Sequence, residues 1–280
     1  MSLPSDSFRD LAAAQGFPVE DVERWSALAR PCARLTPDGD GPVVGRFGGP
    51  LLLPADVPDP AHPYVATLDF SALPAGVTDL PLPADGHLLL FAFPEDDSCD
   101  SDVGSAVYVP AGTAVSERDK HFSWWSTEDE YRELIDKFPQ SPLRATPDVS
   151  LPRFCEIDFS DIPWEHSELV PFSEELLELW RSTRTGIDIW GTLQLGGYAA
   201  EEVTEAHDPL EGVVEGALRA AGNGKADGVV SKDVADWVLL ADWHTDIEGW
   251  EGATVHWAIQ REDLAARRFD RVFTDRYWNP

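Results

Sequence analysis

Positive charge is scarce in this chain: 21 Lys and Arg stand against 51 Asp and Glu, for a net charge of −30. Such a surface repels phosphates and anionic lipid and has no counterion release to drive binding, so nucleic acid and membrane surfaces are poor partners. A basic protein or a cation is attracted instead, and its encounter is electrostatically accelerated. Cysteine is scarce as well. Cys32, Cys99 and Cys155 are widely spaced and form no CxxC pair, which argues against a disulfide framework or a zinc site. No apolar run approaches about 18 residues, and no charged region precedes an apolar core at the N-terminus, so a reducing cytoplasm is the expected location.

Catalytic signatures are missing too. There is no G-x-S-x-G, no cysteine in a basic or helix-start setting, and no GxGxxG or GK[ST] to cradle a phosphate. The seven histidines never stand at H-x3-H or HExxH spacing, so no metal and no cofactor is expected. The acidic loop over 95–102, EDDSCDSD, lacks the ligand spacing of a calcium cage and reads as a solvated loop, with a cation site as the alternative.

What is present is a large stock of core. Hydrophobic residues make up 43% of the 280 positions, with 11 Trp and 13 Phe, so a packed interior follows and disorder does not. Capping and periodicity predict helices from Ser5 or Asp6 to Gln15, from Pro18 onward with Val22 and Trp25 on one side, after Thr127, and after Ser173. The best-marked helix follows Asp208 and Pro209, with Leu210, Val213, Val214, Ala217 and Leu218 on one face until Gly222. Strands are expected at Cys32–Leu35, Tyr64–Leu68, Leu88–Phe93, Ser105–Val109, Ile187–Leu195, Trp237–Ala241, Ala253–Ile259 and Phe269–Thr274. His121, Phe122, Trp124 and Trp125 form an aromatic cluster that suits core packing or, alternatively, a ligand-stacking wall.

Three motifs recur in one order in both halves. Gly48-Gly49-Pro50 corresponds to Gly196-Gly197-Tyr198, VATLDF at 65–70 to VLLADW at 238–243, and GHLLLFAF at 86–93 to GATVHWAI at 252–259. The expected fold class is α+β: an internal duplication of mainly antiparallel sheets sharing a core, with peripheral helices. A helical segment over 1–40 packs on a domain over 41–275, whose related units, about 41–140 and 190–275, are joined by 141–189. The four glycines of the two pairs are expected to be structural.

At these residues the chain resembles the YwqG-like family, the domain of unknown function 1963. The resemblance rests on Gly48, Gly49 and Pro54, on Leu68 and Asp69, on Gly86, Leu88, Leu90 and Phe91, and on Ser150-Leu151-Pro152. It extends through Gln194-Leu195-Gly196-Gly197-Tyr198, Val255, Trp257, Ile259, Asp263 and Leu264. Thr67 and Ala241 stand where the family's strand glutamines would be, Leu193 replaces its histidine and Ala199 its proline. The resemblance implies a bacterial, cytosolic, duplicated α+β fold and carries no established activity.

Two functional readings follow. In the first the chain is a non-enzymatic acidic binding protein, with neutralisation of a basic toxin as a concrete version. In the second it holds a small ligand, or acts as an enzyme, through a polar site at the junction of the two units. Asp69, Gln194, Asp242, Trp243 and His244 are its candidate contacts, with Asp69 and Asp242 facing one another.

Overall fold

The computed structural model describes residues 4–94, 102–120, 129–152, 173–183, 191–201, 208–224 and 228–278. Cys99, Cys155, most of the acidic loop and the aromatic cluster at 121–125 lie outside the described residues. The chain opens with α1 (Pro4–Gln15) and α2 (Val19–Ser26), the latter entered through Pro18 at its N-cap. Then come β1 (Arg30–Thr36), β2 (Val43–Phe47), β3 (Leu51–Pro54) and β4 (Tyr64–Asp69), followed by β5 (His87–Ala92), β6 (Gly104–Val109) and β7 (Val115–Arg118). The second half contributes α3 (Asp129–Asp136), β8 (Pro142–Ser150), α4 (Ser173–Thr183), β9 (Thr192–Gly196) and α5 (Leu210–Gly222). It ends with β10 (Trp237–His244), β11 (Ala253–Gln260), α6 (Arg261–Ala265) and β12 (Phe273–Trp278).

Ten strands form one antiparallel sheet in the order β12-β11-β10-β9-β1-β8-β2-β4-β5-β6, and β3 and β7 form a separate two-stranded ribbon. Exchanging β1 with β8, β2 with β9, β4 with β10, β5 with β11 and β6 with β12 converts this order into its own reverse. The large sheet is nearly closed. At the seam between β6 and β12 the Val103 N–H donates to the Thr274 carbonyl at 3.2 Å, and the Thr274 N–H donates to Asp102 Oδ1 at 2.9 Å. Trp257 on β11 donates from Nε1 to the Phe91 carbonyl on β5 at 3.1 Å. Curling in this way removes most of the exposed edge that a ten-stranded sheet would present.

Residues 30–36 fall inside the stretch that the expected boundary at 40 sets apart as helical. They form β1, in the middle of the sheet, paired on one side to β8 and on the other to β9. The expected last strand also divides. Phe269–Arg271 is a 3-10 turn and the strand starts at Phe273, because Phe269 turns inward against Tyr108 and Phe70, with ring centroids 5.1 and 6.2 Å away.

Alternation sorts the side chains of each strand to two faces. One face carries the main hydrophobic cluster, which includes Leu35, Phe47, Leu68, Leu88, Trp243 and Trp257. The other face is covered differently at its two ends. Helix α5 packs Leu210, Val213 and Ala217 on Trp237, Leu239, Ala258 and Phe273, which is why β10 and β11 are buried along almost their whole length. The β3–β7 ribbon covers the other end, packing Leu51 and Leu53 on Tyr64, Leu89, Phe91 and Val109. Helices α1, α2 and α4 make a satellite core of Phe8, Trp25, Leu176 and Trp180. Among the described residues no helix is long and apolar enough to cross a membrane.

Candidate functional site

Under α5 the register of β9, β10 and β11 places Gln194, Asp242 and His256 in one row on the sheet's outer face. Asp242 is fully buried. Its Oδ1 lies 2.5 Å from His256 Nδ1 and its Oδ2 accepts the Ala200 N–H at 3.0 Å. Glu201 brings Oε1 to 3.3 Å from His256 Nε2, an ion-pair distance without hydrogen-bond alignment. Burial pulls the imidazole down, but the charge and hydrogen bond of Asp242, with Glu201 behind them, outweigh it and push His256 up to about 10. Asp208 faces the same cluster and its carboxyl is raised by burial, while its Oδ1 accepts the Leu210 N–H at the start of α5. An imidazolium held between two carboxylates has no free lone pair. Through Asp242 and Glu201 it ties residues 200–201 to the sheet.

The residues expected as ligand contacts divide around this row. Gln194 spends its side-chain amide on the carbonyls of Gly196 and Tyr198, at 2.9 and 3.0 Å. His244 is buried one position along from Asp242 on the same face, its Nδ1 3.3 Å from Thr254 Oγ1. Trp243 points the other way, into the main cluster, against Phe138 and Phe47 with ring centroids 5.4 and 6.0 Å away. Asp69 lies at the end of β4, where its Oδ1 accepts the Ser71 N–H at 2.9 Å and caps a three-residue 3-10 turn. Four strands separate β4 from β10, so Asp69 and Asp242 do not meet. All four glycines of the two pairs have positive φ, and a side chain on Gly197 would stand 2.7 Å from Ser150 Cβ.

Strand pairing also relates the two halves differently from the motif alignment. Arg46 opposes Thr67 and Thr67 opposes Leu89, as Gln194 opposes Asp242 and Asp242 opposes His256. Counted back from Gly48 and Gly196, Arg46 takes the place of Gln194, and its partner Thr67, not Asp69, takes that of Asp242. Where Asp242 and His256 fill the space under α5, the counterpart row under the β3–β7 ribbon leaves a pocket of about 230 Å³. Leu52, Leu89, Val109 and Val115 give it apolar walls, with Pro50 and Pro110 beside them. Its polar groups are Arg46, Tyr64, Thr67, His87 and Thr113. The Tyr64 and Thr67 hydroxyls are 2.5 Å apart, and burial pushes the Tyr64 phenol up.

Among the described residues no Asp or Glu lines it, in a chain that carries 51 of them. The Arg46 guanidinium lies over Gly49, where a Cβ would stand 2.3 Å from its Nε. None of Arg46, Thr67 and Leu89 is among the expected ligand contacts. The row's signal was an arginine inside GRFGGP, next to the glycine pair, in a chain poor in positive charge. Asp69, which the sequence did single out, pairs across the strands with His87 at the pocket's edge.

No curated protein matches the chain. A family model described as a domain of unknown function, DUF1963, matches residues 45–276, from inside β2 to the last strand, so that both rows fall within it and β1 falls before it. The chain belongs to the DUF1963 family.

Proposed function

We propose that this chain is a binding protein that takes a small molecule in the pocket beneath the β3–β7 ribbon. The observation that carries this reading is the pocket itself: concave, walled by aliphatic side chains, with a few polar groups among them. Its volume lies just below the ~300 to 1,000 Å³ of pockets for drug-sized ligands, which favours a small one. Binding rather than catalysis is favoured because the Asp242–His256 pair is buried beneath α5, with only Glu201 beside it partly exposed. In this reading Gln194, Asp242, Trp243 and His244 shape the fold and Asp69 borders the site. Ligand-observed NMR with a fragment library tests it. Fragments should bind the wild type and be lost in Val115→Trp, which fills the pocket from its exposed rim; a library with no binder sensitive to that change removes the reading.

A second reading keeps a basic protein, such as a toxin to be neutralised in a reducing cytoplasm, as the partner. It is favoured by the net charge of −30. Affinity capture at two salt concentrations tests it: a basic partner released by salt supports it, and capture of acidic or salt-insensitive proteins counts against it.

We also infer that the two halves arose by duplication. The support is the strand order that reads the same from both ends, with β1 and β8 exchanged between the units. Comparing residues 41–140 with 190–275 across many family members, aligned with Thr67 on Asp242, should then give self-similarity above that of shuffled strands. Its absence would leave convergence of topology as the explanation.

A further inference from the structure

We infer that the pocket beneath the ribbon selects a small monoanion with an apolar body, a short aliphatic or aromatic carboxylate being the chemical class that fits; this rests on the small-ligand reading above. Net charge makes the chain as a whole hostile to anions. The pocket reverses that locally, since among the described residues its lining holds one arginine and no carboxylate. Among the described residues Arg46 makes no ion pair and no hydrogen bond, whereas Arg9, Arg24, Arg34, Arg118, Arg268 and Arg271 each reach a carboxylate. In so acidic a protein, an arginine without a carboxylate partner at the mouth of an apolar pocket is open to a carboxylate brought by a ligand.

The donor set fixes the charge. A single guanidinium presents a planar fork that matches one carboxylate through two parallel hydrogen bonds, while a phosphate dianion calls for a second permanent cation, and among the described lining residues there is no Lys and no Arg besides Arg46. The Tyr64 and Thr67 hydroxyls bring two hydrogens, one of which is used between them. The second is left to donate, so this pair favours an acceptor and gives an ammonium no anionic counterpart. Gly49 completes the arrangement. A side chain there would occupy the place of the guanidinium, so the glycine leaves the fork room to lie against the backbone. The apolar remainder of the ligand then meets Leu89 and Val115, and the volume of about 230 Å³ limits it to a body of benzoate or hexanoate size.

Isothermal titration calorimetry on the full chain, with benzoate, hexanoate, benzamide, benzylamine and inorganic phosphate, tests this. Benzoate and hexanoate should bind one to one, benzamide about tenfold more weakly or worse, and benzylamine and phosphate not measurably. Arg46→Met, a change at an exposed side chain, should bring benzoate down to the level of benzamide, and Val115→Trp should weaken both. Benzamide or benzylamine binding as tightly as benzoate, with Val115→Trp still abolishing it, overturns the charge assignment and leaves the pocket as a small-ligand site. Phosphate binding more tightly than benzoate overturns the monoanion assignment. If none of the five binds, or if Val115→Trp changes nothing, both the inference and the reading beneath it fail.

Discussion

Asp242 and His256 oppose one another across β10 and β11, and the 2.5 Å contact between Oδ1 and Nδ1 stands where the other half of the sheet has Thr67 opposite Leu89. One end of the sheet's outer face is thus closed by a buried ion pair beneath a helix. The other end, roofed only by two short strands, keeps a pocket.

Substituting the histidine tests the first half of that contrast. Because the folded-state value of about 10 lies above the ordinary 6.5, the stabilisation from charged His256 is complete below pH 6.5 and is lost as pH rises towards 10. Removing one member of a buried pair costs ~3–5 kcal/mol, so His256→Gln should lower stability by about that much at pH 6 and by clearly less at pH 10. Denaturant titrations at the two pH values check it. An equal loss at both would mean that the imidazole is neutral in the fold.

The seam carries a separate titration. Burial raises the Asp102 carboxyl from 3.8 to about 7, with Asp275 adding to it, and the hydrogen bonds from the Thr274 and Gly104 N–H groups only partly offset this. The folded chain therefore holds a proton there that the unfolded chain releases, and this group makes stability fall as pH climbs from about 4 to 7. Asp102→Asn keeps an acceptor for the Thr274 N–H and should remove that fall. The midpoint of thermal unfolding of the mutant, followed between pH 4 and 8, should change less with pH than that of the wild type.

Gly49 and Gly76 form a matched pair of tests. Both have positive φ, at 84° and 71°, but a Cβ on Gly76 meets nothing within 4 Å whereas one on Gly49 meets the Arg46 side chain. Alanine at Gly76 should cost only the left-handed backbone term, ~1–2 kcal/mol. Alanine at Gly49 should cost at least as much and, in addition, should weaken benzoate binding by displacing the guanidinium. Equal affinity for benzoate in both mutants would separate Arg46 from the site.

Trp257→Phe removes the bond to the Phe91 carbonyl that ties β11 to β5 while keeping most of the apolar volume. A destabilisation of ~1–3 kcal/mol is expected in denaturant unfolding, the range for stranding a buried polar group.

How far the sequence led can be judged from single elements. Helix α5 was legible because Asp208, Pro209 and the apolar spacing act within the segment: its start and the burial of Leu210, Val213, Val214 and Ala217 are where those signals lie, while Leu218, expected on the same face, is exposed. Strand β8 carries Pro147 in its interior, yet β2 pairs only with 142–144, which leaves that proline a strand on one side alone. Strands β3 and β7 lay outside the signal: four residues each, among prolines and glycines, held by one another and by burial of Leu51 and Leu53.

Sites depend on register, which local patterns leave open. Asp242 is marked in the sequence by the recurring VLLADW motif, but its chemistry is set by His256, fourteen residues on, and by Glu201 in a segment before α5. Motif alignment matched Asp69 to Asp242. Register counted from the glycine pairs puts Thr67, two residues before Asp69, in the place of Asp242, beside Arg46 and the pocket.

An NMR titration of the isotope-labelled chain with benzoate is the most direct test of the pocket. Saturable shifts confined to Arg46, Thr67, His87, Leu89, Thr113 and Val115 are predicted, with the β10–β11 amides unmoved. Shifts that centre on Asp242 and His256, or a spectrum unchanged up to millimolar ligand, would contradict it.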